Sequence, residues 1–155
     1  MEGDAGYLRF CAVFVALVLQ VACGSSPLSQ DLTLSGARSA HVTSATIAGQ
    51  CSPPANPGQG FATQLVGSVG SDTFDLYIEV RTWLGQIAYG PTVEDAYKVK
   101  FPTVTVKVGG STYTSRYGSG TVSPAATTGQ LNMDLTEDGK PDGRVLHVVG
   151  SWRCV

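Results

Sequence analysis

Residues 72–81 read DTFDLYIEVR, and this stretch decides the fold class. Its apolar side chains stand at every second position, at Phe74, Leu76, Ile78 and Val80. The residues between them, from Asp75 to Arg81, are polar apart from the ring of Tyr77. Because successive side chains of a strand point to opposite faces, this period of two predicts a half-buried strand of an antiparallel sheet.

The same period recurs in later segments. Leu131, Met133 and Leu135 alternate with polar residues, and one face of the last strand carries Leu146, Val148, Trp152 and Cys154. In residues 98–108 the alternation changes parity at Pro102, which indicates a bulge or an edge position because proline cannot donate to the ladder. Shorter strand candidates are residues 32–35, 41–48, 61–69 and 119–123.

The Gly109-Gly110 pair between Val108 and Ser111 predicts a tight β-hairpin, since both central residues of such a turn need positive φ. The whole pattern indicates roughly seven to nine short strands with glycine and proline between them. We therefore expect an all-β fold, an antiparallel β-sandwich over residues 31–155.

Composition excludes several functional classes. The chain has 155 residues, a formal net charge of -2 and 14% charged residues, with its lysines and arginines scattered. Phosphate-backbone binding needs clustered cations, so no nucleic acid is expected as a partner. No cofactor motif is present, and we expect none to be bound.

The N-terminal segment predicts export. Residues 10–22 read FCAVFVALVLQVA, an uncharged run that is shorter than the about 20 residues of a spanning helix. A secretory hydrophobic region runs about 7–15 residues and ends at small side chains. Residues 1–22 are therefore predicted to be a signal peptide.

The residues that follow, Val21-Ala22-Cys23-Gly24, resemble the lipobox of bacterial lipoproteins. The resemblance implies that Cys23 is lipidated and becomes the first mature residue, which anchors the protein to the extracytoplasmic face of the cell membrane. Residues 23–30 then form a flexible tether rich in turn-forming residues. Plain secretion is the alternative, because Ala22 and Gly24 also make a small-x-small cleavage site.

Cysteine counting gives one pair in the domain. Cys11 leaves with the signal peptide and Cys23 carries the lipid, so Cys51 and Cys154 remain. An exported protein permits a disulfide between them. Two unpaired buried thiols are the alternative.

These cysteines, the Val-Gly-Gly-x-x-Tyr hairpin at residues 108–113 and the ending Gly-Ser-Trp-Arg-Cys at residues 150–154 look like actinobacterial lipid-anchored β-domains. The chain resembles the family of the mycobacterial nineteen-kilodalton lipoprotein antigen. That resemblance implies lipid on the first mature cysteine, an internal disulfide that ends at the C-terminus, and a surface-exposed β-sandwich without known catalysis.

One loop is a candidate contact surface for a protein or glycan ligand. Its apolar residues fall outside the regular alternation, which is typical of partner surfaces. They are Trp83, Leu84, Ile87, Tyr89 and Tyr97. The alternative is that this loop folds over one end of the domain and fills the core.

Residues 134–143, DLTEDGKPDG, are acidic. Oxygen-rich loops bind calcium, which makes Asp134, Asp138 and Asp142 candidate ligands. Their spacing fails the calcium-loop template and the terminal glutamate is missing, so a polar turn explains the segment as well and no metal is assigned.

No catalytic constellation is evident. The chain has two histidines, His41 and His147, and lacks the G-x-S-x-G elbow of serine hydrolases. We therefore expect a non-enzymatic envelope lipoprotein with a recognition or structural domain. The alternatives are a secreted hydrolase and a carrier of an apolar ligand, with a cavity lined by Phe61, Phe74, Phe101 and Trp152.

Overall fold

A computed structural model describes residues 30–90 and 101–154. The predicted signal peptide, Cys23, nearly all of the tether and Tyr97 lie outside the described residues. No helix within the described part of the chain is long and apolar enough to cross a membrane.

The described chain is all-β, and its strands pair only in antiparallel fashion. The strands are β1 (Asp31–Gly36), β2 (Ala40–Val42), β3 (Ala45–Gly49), β4 (Phe61–Val69), β5 (Asp72–Val80), β6 (Thr103–Val108), β7 (Ser111–Pro124), β8 (Thr128–Glu137) and β9 (Val145–Arg153). The predicted all-β class, the antiparallel pairing and the count of roughly seven to nine strands are thereby confirmed.

The strands form one sheet that is nearly closed into a barrel. Its order is β2-β1-β9-β8-β7-β6-β5-β4-β3, so the two edge strands are consecutive in the chain. Only Thr43 and Ser44 separate β2 from β3. A flat sheet of this size would be about 38 Å wide, whereas so short a connection spans about 10 Å. The sheet must therefore roll up until its edges meet.

The predicted sandwich of two sheets is not confirmed by this single rolled sheet. Both architectures bury one face of each strand, so the alternation of apolar and polar residues is the same in both. What separates them is the pairing of β1 with β9, from Asp31↔Ser151 to Gly36↔Leu146. That pairing joins the first and last strands of the described domain and cannot be read from local sequence.

The interior of the sheet is the apolar face that the alternation predicts. Fully buried side chains come from every long strand, among them Leu32, Leu65, Phe74, Leu76, Ile78, Val104, Val106, Met133, Leu135, Leu146 and Val148. The Gly109-Gly110 hairpin is also confirmed, with φ of 57° and 81° and Val108 paired to Ser111.

Two strand predictions change in detail. Residues 119–123 are the last part of the long strand β7, whose pairing with β8 shifts register between Thr114 and Ser119. Residues 41–48 divide between β2 and β3 because the chain crosses there from β1 to β4. The strand predicted over residues 98–108 begins at Thr103, directly after Pro102, in the part that the structure describes.

Strand direction separates two ends of the rolled sheet. One end, the disulfide end, holds the start of β1, the end of β9, the loop 50–60, the start of the loop after β5 and the turn 125–127. Cys51 and Cys154 are bonded here, with their Cα atoms 5.5 Å apart, which confirms the predicted disulfide. The other end, the hairpin end, holds the turns 37–39, 70–71, 109–110 and 138–144.

Candidate functional site

The aromatic loop predicted to contact a partner lies partly in the core. Trp83 and Tyr89 are buried and their rings stack, with centroids 5.7 Å apart. The Tyr89 hydroxyl accepts a hydrogen bond from the Leu84 N–H (2.6 Å) and donates one to the Gly85 carbonyl (2.9 Å). Burial raises the pKa of Tyr89, against the effect of these two hydrogen bonds. These two aromatic residues therefore close the disulfide end, and of the four candidate residues that the structure describes only Ile87 is exposed.

The three candidate calcium ligands do not converge. Asp134 points its carboxylate at His147 and Ser119, whereas Asp138 pairs with Lys140 at the tip of the β8–β9 turn. Within residues 30–90 and 101–154, no three His, Cys, Asp or Glu side chains group so that they could hold a metal ion.

The acidic turn is instead held by an ion pair at its base. The Arg144 guanidinium donates two hydrogen bonds to the Glu137 carboxylate, at 2.7 and 2.5 Å. This fork lowers the pKa of Glu137 and raises that of Arg144. The Arg144 side chain is exposed and that of Glu137 is half-buried, so the pair adds little to stability while it joins the two sides of the turn.

Three rows of mostly polar side chains cross the outer face of β7, β8, β9 and β1. The rows are Ser119–Asp134–His147–Ser35, Thr121–Asn132–Val149–Thr33 and Ser123–Gln130–Ser151–Asp31. His41 of β2 continues the middle row beyond Thr33. Neighbouring strands stand about 4.8 Å apart, so these side chains form a closely spaced array. We call it the polar face.

Both histidines of the chain lie on the polar face, and each meets an aspartate. His147 Nδ1 lies 2.7 Å from Asp134 Oδ1, and His41 Nε2 lies 2.7 Å from Asp31 Oδ1. The hydroxyl of Ser119 donates to the other oxygen of Asp134 at 3.1 Å. These contacts orient two carboxylates toward their imidazole partners on an otherwise open surface.

The order of these groups differs from that of a hydrolase triad. In a triad the histidine stands between serine and aspartate so that it can accept the serine proton. Here Asp134 stands between Ser119 and His147, and the serine hydroxyl contacts the carboxylate. The arrangement therefore positions side chains and does not activate a nucleophile.

A groove of about 470 Å³ runs along the polar face. It is bordered by Thr121, Ser123, Gln130, Leu131, Asn132, Val149, Gly150 and Ser151. At Gly150, β9 has a φ of 149°, and a Cβ there would overlap the backbone of Asp31. The groove is lined by side-chain hydroxyls and amides together with the exposed Val149, the buried Leu131 and Gly150. The hydroxyls and amides donate and accept hydrogen bonds without net charge.

Sequence reasoning did not identify the polar face. Its rows combine residues from four strands, and they come together only through strand register. One feature of the sequence could have indicated this surface. The outward positions of β7 and β8 carry small polar residues, and residues 118–134 contain no lysine or arginine.

Searches of protein-family models, curated proteins and solved structures find no match to this chain.

Proposed function

We propose that the chain is a lipid-anchored protein of the bacterial cell envelope whose β-domain recognises a glycan without catalysis. The observation that carries this proposal is the polar face with its groove, a surface of uncharged hydrogen-bonding groups flanked by two Asp–His pairs. The proposed location in the cell envelope is supported by the predicted signal peptide, by Cys23 and by the disulfide.

The disulfide supports an extracytoplasmic location. Bonds of this kind persist in oxidising compartments and are rare in the reducing cytosol. A signal peptide over residues 1–22 and acylation with fatty chains at Cys23 would place the domain on the outer side of the cell membrane. The resemblance to the mycobacterial lipoprotein antigen points to the same location.

The chemistry of the polar face suits sugar hydroxyls. A sugar hydroxyl both donates and accepts, as do the side chains of Asn132, Gln130 and Thr121. Val149, which is 36% exposed, offers an apolar contact to the C–H face of a sugar ring. The rows contain no lysine or arginine, which argues against phosphate or nucleic acid as the ligand.

The filled interior supports recognition at the outer surface over carriage of an apolar ligand. Of the four residues that would line a carrier cavity, Phe61, Phe74 and Trp152 are each at most 1% exposed and belong to one packed core cluster. The fourth, Phe101, is half-buried and packs against the same cluster. A ligand would have to displace close-packed side chains to enter there.

Asn132→Ala is expected to weaken glycan binding by about 2–10-fold, the value of one lost hydrogen bond. Asn132 is exposed at the centre of the groove, so stability should stay within about 0.5 kcal/mol of the parent. Binding would be measured on arrayed neutral glycans and on insoluble cell-wall polysaccharide, with the purified protein carrying Cys23→Ser.

Asn56→Ala is the matched control, because it removes the same amide from an exposed loop at the disulfide end. The control should bind as the parent does. The proposal would be contradicted if both variants lost the same affinity for glycan. It would also be contradicted if the domain bound an envelope protein and none of the glycans.

A further inference from the structure

A second groove lies on the opposite wall of the rolled sheet from the polar face. It has a volume of about 330 Å³ and is bordered by Gln64, Asp75, Tyr77, Thr105 and Lys107. These residues belong to β4, β5 and β6, so the groove shares no strand with the polar face. Its size lies at the lower end of the range for small-molecule sites. We call it the Tyr77 groove.

Strand register brings the five side chains together on the outer face of the sheet. Tyr77 of β5 pairs with Gln64 of β4 and with Thr105 of β6, so its ring stands between an amide and a hydroxyl. Two residues away along β5, Asp75 pairs with Lys107. Because residues two apart in a strand share a face, these side chains form two adjacent rows.

A hydrogen bond orients two of the acceptors in the groove. The Gln64 side-chain amide donates to the Asp75 carboxylate, with Nε2 and Oδ1 2.8 Å apart. The second carboxylate oxygen of Asp75 and the side-chain carbonyl of Gln64 still have the capacity to accept from a ligand. Both side chains are half-buried, so less conformational entropy is lost when they bind than for mobile surface groups.

Tyr77 supplies apolar surface in the middle of these polar groups. Its side chain is half-buried. Burial and the charge of Glu79 raise the pKa of Tyr77, so the phenol is a neutral hydroxyl at neutral pH. A pyranose ring matches this arrangement, because it has apolar C–H faces that pack on an aromatic ring and a rim of hydroxyls that donate and accept.

We infer that the Tyr77 groove is a second carbohydrate site, which binds one hexopyranose residue through a vicinal diol. The sugar ring packs on Tyr77. One hydroxyl of the diol donates to the Asp75 carboxylate, and the neighbouring hydroxyl oxygen accepts a hydrogen bond from the Lys107 ammonium. This site goes beyond the proposed function, because the two grooves have no residue in common and each can bind without the other.

An NMR titration with methyl glycosides of glucose, mannose and galactose tests this site. The purified protein carrying Cys23→Ser would be labelled with ¹⁵N. At least one of the three glycosides should shift the amide signals of residues 64, 75, 77, 105 and 107. A glucoside methylated at every hydroxyl keeps the ring but has no diol to donate, so it should leave these signals in place.

Substitutions separate the ring from the charged groups. Tyr77→Ala should weaken binding of the glycoside about 2–10-fold, and Tyr77→Phe, which keeps the ring, should bind nearly as the parent does. Asp75→Asn keeps the shape of the side chain and should weaken binding about tenfold or more, because a charged acceptor is lost. The control Tyr117→Ala removes an exposed ring outside the groove and should leave binding unchanged.

Several results would overturn the inference. They are the absence of shifts with all three glycosides, equal shifts with the methylated glucoside, and equal losses in Tyr77→Ala and Tyr117→Ala. Shifts confined to residues 121–132 and 149–151 would remove the Tyr77 groove and keep the polar face as the glycan site. Glycan binding that Tyr77→Ala weakens and Asn132→Ala does not would instead retain the Tyr77 groove and remove the polar face.

Discussion

Replacing Cys154 with serine is expected to lower the free energy of unfolding by about 2–5 kcal/mol, as removal of a native disulfide commonly does. The bond joins the end of β9 to the loop after β3 across a sequence separation of 103 residues. Breaking it releases the disulfide end, where the loops 50–60 and 125–127 contact each other through the Ser52 hydroxyl and the Ala126 carbonyl. Denaturant unfolding of the two proteins gives the difference directly.

Cys51→Ser and the double variant are the controls for that result. Because both cysteines serve one bond, each single variant and the double variant should lose about the same stability. An unchanged unfolding midpoint in Cys154→Ser, or losses that add in the double variant, would show that the bond does not stabilise the domain.

Trp152→Ala is expected to cost about 3–5 kcal/mol, the range found for large aromatic residues removed from cores. The indole is 1% exposed and covers Gly129 of the neighbouring strand, where a Cβ would overlap the ring. Its Nε1 has no hydrogen-bond partner among residues 30–90 and 101–154, so the expected loss is one of packing. Thermal or denaturant unfolding measures the change.

The matched control is Tyr117→Ala, which truncates an aromatic side chain that is 52% exposed. That substitution should change stability by at most about 0.5 kcal/mol. A similar small change in Trp152→Ala would contradict the assignment of Trp152 to the core.

The strands of this protein could be predicted because period two is a local signal. Residues 61–69 and 72–80 were identified almost to the residue, and the Gly109-Gly110 turn follows from the φ that its type demands. The closure of the sheet could not be predicted in the same way. It depends on the pairing of β1 with β9, which lie at opposite ends of the domain.

The candidate site was less accessible to sequence reasoning than the fold. The missing alternation in their loop predicts Trp83 and Tyr89 as possible contact residues. In the structure the two rings stack on each other and are buried in the core. His147 and Asp134 are thirteen positions apart in the chain. Only the register of β8 and β9 shows that they face each other.

The proposed function depends on an anchored, oxidised domain outside the cytoplasm. The most direct test is the intact mass of the protein purified from membranes of cells that express the full chain. We expect a chain that begins at Cys23, carries added fatty acyl groups at that residue, and lacks two hydrogens relative to its reduced form. A full-length chain in the cytosol, with its leader uncut, no lipid and four reactive thiols, would contradict the account.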